Sequence, residues 1–231
     1  MRLHRFYIQT ELSVDTEIVV DDTEHLHQWV SVFRFATDDS IILFNGDGND
    51  YTGTFTEVHK KKAVIQITSV TPSLVMKHIA PVHLYLSLIK KDLFELVVEK
   101  ATELGVSSIT PIITERTQNK NLNMDRLEKI TIEASEQSGR GDVPQIHSAV
   151  SLTTALEATK GYSQILTQMG GQDPIKNSSN LSQALFIGPE GGWGEKDLEQ
   201  FTHYTVQHVS LGETTLRAET AAIVGCFMLL K

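Results

Sequence analysis

Up to Pro72 the apolar and polar positions alternate in short runs separated by turn formers. The run SIILFNGDGNDYTGTFTEV predicts two strands around a tight Asn45-Gly46-Asp47-Gly48 turn, since period-two alternation lays one face on a core and glycine closes the hairpin. AVIQITSV predicts a third strand, and residues 25–35 a short helix. Small strands with one helix predict a compact β-barrel of about 70 residues. After Pro81 the period changes. VHLYLSLI alternates and then runs apolar, as a strand covered on both faces does. Next comes a helix with Leu93, Leu96, Val97, Ala101 and Leu104 on one stripe, closed by Gly105. The pattern predicts further strands at 109–113, 164–167, 184–187 and 206–211, helices at 124–137, 195–201 and 218–230, and a polar loop at 174–182. Strands alternating with helices mean a mainly parallel sheet with both faces covered. The expected division is therefore residues 1–72, a barrel, and 73–231, an α/β domain.

Composition narrows the classes. The 231 residues suffice for a substantial core, and a net charge of −9 argues against unspecific binding to a phosphate backbone. Positive charge is clustered at Lys60-Lys61-Lys62, at Lys90-Lys91 and between Arg116 and Arg140, so a nucleic-acid partner must be met by patches. No apolar run reaches the roughly 20 residues that span a bilayer, and the N-terminal stretch lacks the apolar centre of a signal peptide. A cytoplasmic protein is expected. Cys226, the only cysteine, sits in the apolar run AAIVGCFMLL and reads as a packed thiol. His25-Leu26-His27 has no third ligand nearby, so no metal is expected.

Three segments with distinctive chemistry fall where strands end and helices begin, the place where such sheets bind ligands. They are Lys90-Lys91-Asp92, the stretch IGPEGGWGEKDLE from Ile187, and LGETTLRAET from Leu211. The glycine stretch lacks the Gly-Lys-Ser/Thr of a phosphate loop, and Pro189 and Glu190 stand where a dinucleotide fingerprint needs backbone N–H groups. Four glycines in seven residues fit a backbone approached closely by a flat ligand, with Glu190 tolerated because that ligand is cationic. S-adenosylmethionine, a sulfonium with an adenine edge, has this character. A plain left-handed turn accounts for one or two of the glycines. Arg217 stands at the start of the last helix, against the positive end of the helix dipole. Either Glu213 or Glu219 holds it, or it is aimed at an anion or a base carbonyl. Lys90 and Lys91 read either as solvated or as contacts to an RNA backbone.

The segments LIKKDLFELVVEKATELGVSSITPIITERT, IEASEQSGRGDVPQI, LFIGPEGGWGEKDLE and VSLGETTLRAETAAI, in this order, resemble the RsmE family of small-subunit rRNA uridine-N3 methyltransferases; RLHRFYI and VFRFATDDSIILFNGDG resemble its opening domain. The resemblance implies a PUA-like β-barrel followed by a SPOUT α/β methyltransferase domain with a C-terminal trefoil knot, and a homodimer. It implies S-adenosylmethionine bound by Leu166, Thr167, Gly188, Pro189, Glu190, Gly191, Gly192, Leu211, Gly212, Leu216 and Thr220. It makes Arg217 the catalytic candidate, and Arg5, Arg34, Lys90, Arg116 and Arg140 candidates for RNA contact. The implied partner is small-subunit rRNA, and the acidic balance favours an assembled or assembling 30S particle.

Methylation at N3 requires loss of the N3 proton, and a guanidinium beside O2 or O4 would stabilise the uridine anion. No residue stands out in the sequence as the base. Two rivals stand beside this reading. One is another SPOUT RNA methyltransferase, acting on tRNA or on a ribose 2′-OH; the other is a non-catalytic rRNA-binding assembly factor, which would bind no methyl donor.

Overall fold

The computed structural model describes residues 3–73, 80–117, 121–171 and 180–230. Most of the polar loop expected at 174–182 lies outside them. The chain forms two compact units, one of residues 1–75 with 135–142 and the other of 76–134 with 143–231. A break at Pro72 alone does not include that insertion of residues 135–142 into the first unit.

The first unit is a five-stranded sheet of β1 (Arg5–Tyr7), β2 (Glu17–Val20), β3 (Ser40–Phe44), β4 (Asn49–His59) and β5 (Lys62–Pro72) in the order β1-β3-β4-β5-β2. β1 lies parallel to β3, and the other pairs are antiparallel. The long β4–β5 ladder bends at two register shifts. At the first, a Cβ on Gly53 would lie 2.4 Å from Ile65 Cγ2, so only glycine lets the strands meet. Trp29, Phe55, Ile41, Leu43, Ile65 and Ile67 are fully buried between the sheet and a short helical stretch. That stretch comprises α1 (Thr23–Leu26), capped by the Asp22 carboxylate, and a π-helical turn, His27–Val32. The helix expected at 25–35 thus starts earlier and ends at Val32. His25 contacts the Asp22 carboxylate and places Nε2 2.8 Å from the Tyr7 carbonyl oxygen, which gives it a packing role.

Residues 135–142 are held in this unit by specific bonds. Arg5 donates to the carbonyl oxygens of Ser135 and Arg140 and pairs with Asp50 at 2.6 Å. The Tyr7 N–H donates to Glu136, and the Gly48 N–H to the Gly141 carbonyl. A Cβ on Gly141 would lie 2.3 Å from Ser73 Oγ, so the Arg140-Gly141-Asp142 tripeptide has a packing reason for its glycine.

The second unit is a parallel sheet of β6 (Val82–Ser87), β7 (Ser108–Ile113), β8 (Gln145–Ile146), β9 (Val150–Ser151), β10 (Ser163–Thr167), β11 (Gln183–Ile187) and β12 (Val206–Val209). Their order is β12-β10-β11-β6-β7-β8, with β9 also on β7. Alternate residues of the central strands feed two cores. Leu84, Leu86, Leu185 and Ile187 pack with α2 (Lys91–Leu104) and α6 (Ala218–Leu230); Tyr85, Ala184 and Phe186 pack with α4 (Leu152–Ala158) and α5 (Glu195–Phe201). That double coverage is why these strands read as nearly unbroken apolar runs. α3 (Met124–Ser138) contributes Leu127 and Ile130 to the first of these cores.

α2 buries Phe94, Val97, Val98 and Ala101, whereas Leu96 is exposed. The buried stripe is displaced from the one expected, because two overlapping sets of i, i+3, i+4 positions exist here and the sheet selects the set containing Phe94. Gly105 closes the helix with φ 107°, the left-handed conformation that glycine adopts without strain. Cys226 is fully buried against this core, and burial pushes its thiol up to about 12.

Candidate active-site cleft

β6 is the first strand laid down in the second unit, and the chain builds outward from it to β7 before returning to β10 and β11. The direction of building reverses between β6 and β11. At such a switch point the loops leaving neighbouring strand ends diverge and leave a crevice. A cleft of about 860 Å³ occupies that position, within the usual range for a small-molecule site. Lys90 follows β6 into it, Thr167 and Met169 follow β10, Gly188–Gly192 follow β11, and Ser210–Gly212 with Thr214–Glu219 follow β12.

Three contacts set the glycine loop. The Gly192 N–H donates to the Pro189 carbonyl at 2.8 Å, closing a turn in which Gly192 has φ 70°. The Lys90 N–H donates to Glu190 Oε1 at 3.1 Å, and Arg116 Nη1 donates to the Gly191 carbonyl at 2.6 Å. Behind the loop, Trp193 covers Gly188, where a Cβ would lie 3.1 Å from the indole, and its Nε1–H donates to the Thr167 carbonyl at 2.9 Å. One indole therefore links the loops after β10 and β11. The start of α5 is fixed by the loop after β7: the buried Asp197 carboxylate accepts from the N–H groups of Gly194 and Glu115, and Glu115 accepts from the Lys196 N–H.

The expected cofactor residues separate into those on the cleft and those off it. Thr167, Gly188, Pro189, Glu190, Gly191, Gly192, Leu211, Gly212 and Leu216 line it, and so does Arg217. Leu166 does not: it is fully buried in the core beside α4, because consecutive strand residues face opposite ways. Thr220 is exposed and lies off the cleft wall, although its neighbours Glu219 and Ala221 line it. Gly212 has φ 146°, and a Cβ there would meet nothing within 4 Å, so bare backbone faces open space.

Among the described residues four charged ones line the cleft, Lys90, Glu190, Arg217 and Glu219, and their formal charges balance. Glu190 is already engaged by the Lys90 amide, so its place among the glycines is explained first as a tie between the loop and the start of α2. Arg217 makes no side-chain hydrogen bond or ion pair among the described residues; neither Glu213 nor Glu219 holds it. Its carbonyl accepts the first bond of α6, from the Ala221 N–H.

The candidates for RNA contact also divide. Arg5 and Arg140 are buried and engaged, Arg5 as described above and Arg140 with Asp142 at 2.6 Å, so neither offers its guanidinium to a phosphate. Arg116 is exposed but bonds the glycine loop. Lys90 and Arg34 are exposed, and no side-chain partner is found for either among the described residues; Arg34 has φ 59°. The sequence reading assigned no site role to Trp193 or Asp197 and weighed Glu219 only as a partner for Arg217. Trp193 carries a signal, an indole within a glycine run, and Glu219 lies in a segment already singled out.

Comparison with known proteins fits this geometry. Residues 76–229 match the family model described as an RNA methyltransferase domain, and residues 30–68 match the RNA methyltransferase PUA domain. The ribosomal RNA small subunit methyltransferase E of Rickettsia conorii is 30% identical over 96% of this chain and 93% of its own. The chain belongs to the ribosomal RNA small subunit methyltransferase E family. Among solved structures, a methyltransferase of this family from Neisseria gonorrhoeae bound to S-adenosyl methionine aligns with a TM-score of 0.86 at 27% identity, over 97% of this chain and 95% of that one. A methyltransferase from Legionella pneumophila in complex with the same cofactor gives 0.91 at 29% identity, over 99% and 97%. The family's architecture, a PUA domain followed by a SPOUT-like parallel-sheet methyltransferase domain, is the one described above.

Proposed function

We propose that the chain transfers the methyl group of S-adenosylmethionine to N3 of a uridine in small-subunit ribosomal RNA. The observation that carries this reading is the cleft at the ends of β6, β10, β11 and β12, with Arg217 on its wall unpaired among the described residues. Two solved relatives hold S-adenosylmethionine, and the family acts on small-subunit rRNA by its name. The residues fit that donor. Gly192 and Gly212 keep bare backbone against open space, Leu211 and Leu216 supply apolar surface, and the volume suits one small ligand.

The bound donor supplies an electrophilic methyl carbon on a sulfonium. The chain's own residues hold and orient it: the loops after β10, β11 and β12 form the walls, Trp193 fixes two of them together, and Arg116 and the Lys90 amide set the glycine turn. Arg217, with no side-chain partner among the described residues, is aimed at a uracil carbonyl oxygen, where charge develops as N3 loses its proton. A preorganised donor of this kind contributes about 10²–10³ in rate. Lys90 at the rim, and Arg34 on the first unit, take RNA phosphates. The target uridine must be unpaired, because N3 lies on its Watson–Crick edge.

The enzyme is a homodimer in this scheme, acting in the cytoplasm on an assembled or assembling 30S particle. Support for the dimer comes from α6, which beyond its first turn is apolar around its whole circumference yet leaves Phe227 47% exposed. A helix of that composition is normally covered on every side. The C-terminal trefoil knot belongs to the same proposal, supported by the return of α6 from beyond the edge strand β12 to pack on α2 and β6. Mass spectrometry of rRNA nucleosides from a deletion strain tests the function. Loss of one 3-methyluridine is expected, and an unchanged level overturns the reading.

A further inference from the structure

A methyl transfer to N3 needs a proton acceptor, and the cleft offers few. Among the described residues its lining holds two carboxylates, Glu190 and Glu219, and no histidine, aspartate, cysteine or tyrosine. Glu190 is tied to the Lys90 N–H. Glu219 differs in three respects. It is 8% exposed, it lies in the first turn of α6 two residues after Arg217, and its Oε2 has no hydrogen-bond partner among the described residues. Four buried side-chain polar atoms share that last property, the others belonging to Trp29, Ser87 and Ser135, and Glu219 is the one of the four residues that borders the cleft. Leaving a buried carboxylate oxygen unbonded is costly, and an unmade bond of this kind in a ligand cleft marks a place for a donor brought by the ligand.

We infer that Glu219 is the general base, accepting the N3 proton of the uridine. The inference rests on the proposed function. Rotation about the last side-chain torsion, which is broad for glutamate, turns either oxygen toward the cleft. In the step, the N3–H bond breaks and its proton goes to the Glu219 carboxylate. The N3 electron pair forms the bond to the methyl carbon, and the C–S pair leaves with sulfur as S-adenosylhomocysteine. Arg217 and Glu219 then divide the work on one base, the guanidinium stabilising the negative charge at a carbonyl oxygen while the carboxylate removes the proton. Lys90 and Glu190, the other charged groups of the lining among the described residues, offset each other in formal charge.

The test compares the unaltered protein with Glu219→Gln and Glu219→Asp in single-turnover methylation of 30S subunits from the deletion strain, with donor affinity by calorimetry and thermal melting of each protein. Glu219→Gln is expected to lower the rate at least about 100-fold, the low end for a general base. Its donor affinity should stay within about threefold, and its melting temperature should not fall, because no protein bond to Oε2 is lost. Glu219→Asp, which keeps an acceptor, should retain more rate than Glu219→Gln. A full rate in Glu219→Gln, an equal loss in both variants, or a loss of donor affinity matching the loss of rate each overturns the assignment. Absence of methyluridine with the unaltered protein overturns the proposed function and this assignment together.

Discussion

Arginines in the two units do opposite work. Arg5 and Arg140 in the first unit are buried, with their guanidinium groups engaged by carboxylates and, for Arg5, by backbone carbonyls. Arg217 in the second unit is exposed on a cleft wall with no partner among the described residues. Arg116 stands between these cases, exposed but donating to the Gly191 carbonyl. All four looked alike as basic residues in segments resembling an RNA-modifying family. What separates them is where their donors go: an arginine whose fork is filled by its own chain holds the fold, and one left open is available to a substrate.

The comparison can be broken at each of its members. Arg5→Ala should have the largest effect, about 3–5 kcal/mol off the stability of the first unit, because it strips Asp50 of its buried partner and removes the guanidinium bonds to the Ser135 and Arg140 carbonyls. Urea unfolding followed in the whole chain measures it; a loss under 1 kcal/mol, about the worth of an exposed pair, would mean the buried pair is not structural. Arg217→Ala should cost about 10²–10³ in methylation rate while stability stays within about 0.5 kcal/mol, since no side-chain bond among the described residues is removed. Turnover close to the unaltered rate in a normally folded variant would remove Arg217 from the mechanism. Arg217→Lys should not restore the rate, because an ammonium lacks the planar fork. The smallest change belongs to Arg116→Ala. Freeing the glycine loop on one side should weaken donor binding by about 1 kcal/mol, roughly fivefold by calorimetry, without moving the unfolding midpoint. A phosphate-type role for Arg116 would instead appear as weaker RNA binding with unchanged donor affinity.

Much of the second unit was legible because its signals are local. Apolar strands, the closing Gly105 and the glycine run after β11 are each written in a few consecutive residues, and the switch-point rule turns them into a cleft. The failures come from two kinds of information that consecutive residues lack. Facing is one. Leu166 and Thr167 are neighbours in β10, yet the pleat sends Leu166 into the core and leaves Thr167 at the cleft, and on α6 the helical turn points Thr220 away from the wall that Glu219 and Ala221 form. Partnership across the chain is the other. Asp50 is 45 residues from Arg5, and the Ser135 carbonyl is 130 away. Nothing near Arg5 says that its charge is already matched. The same holds for Asp197, whose partner amide at Glu115 lies 82 residues back.

The chain's two tryptophans are distributed one to each unit, and their surroundings differ as much as those of the arginines. Trp29 is sealed in the first unit with Phe6 and Phe55 edge-on to its ring. Trp193 is half-buried beside the cleft, its indole N–H on the loop after β10 and its ring over Gly188. The protein thus carries two built-in optical probes, a dry one that reports on whether the first unit is folded and a second that reports on whether the cleft is filled.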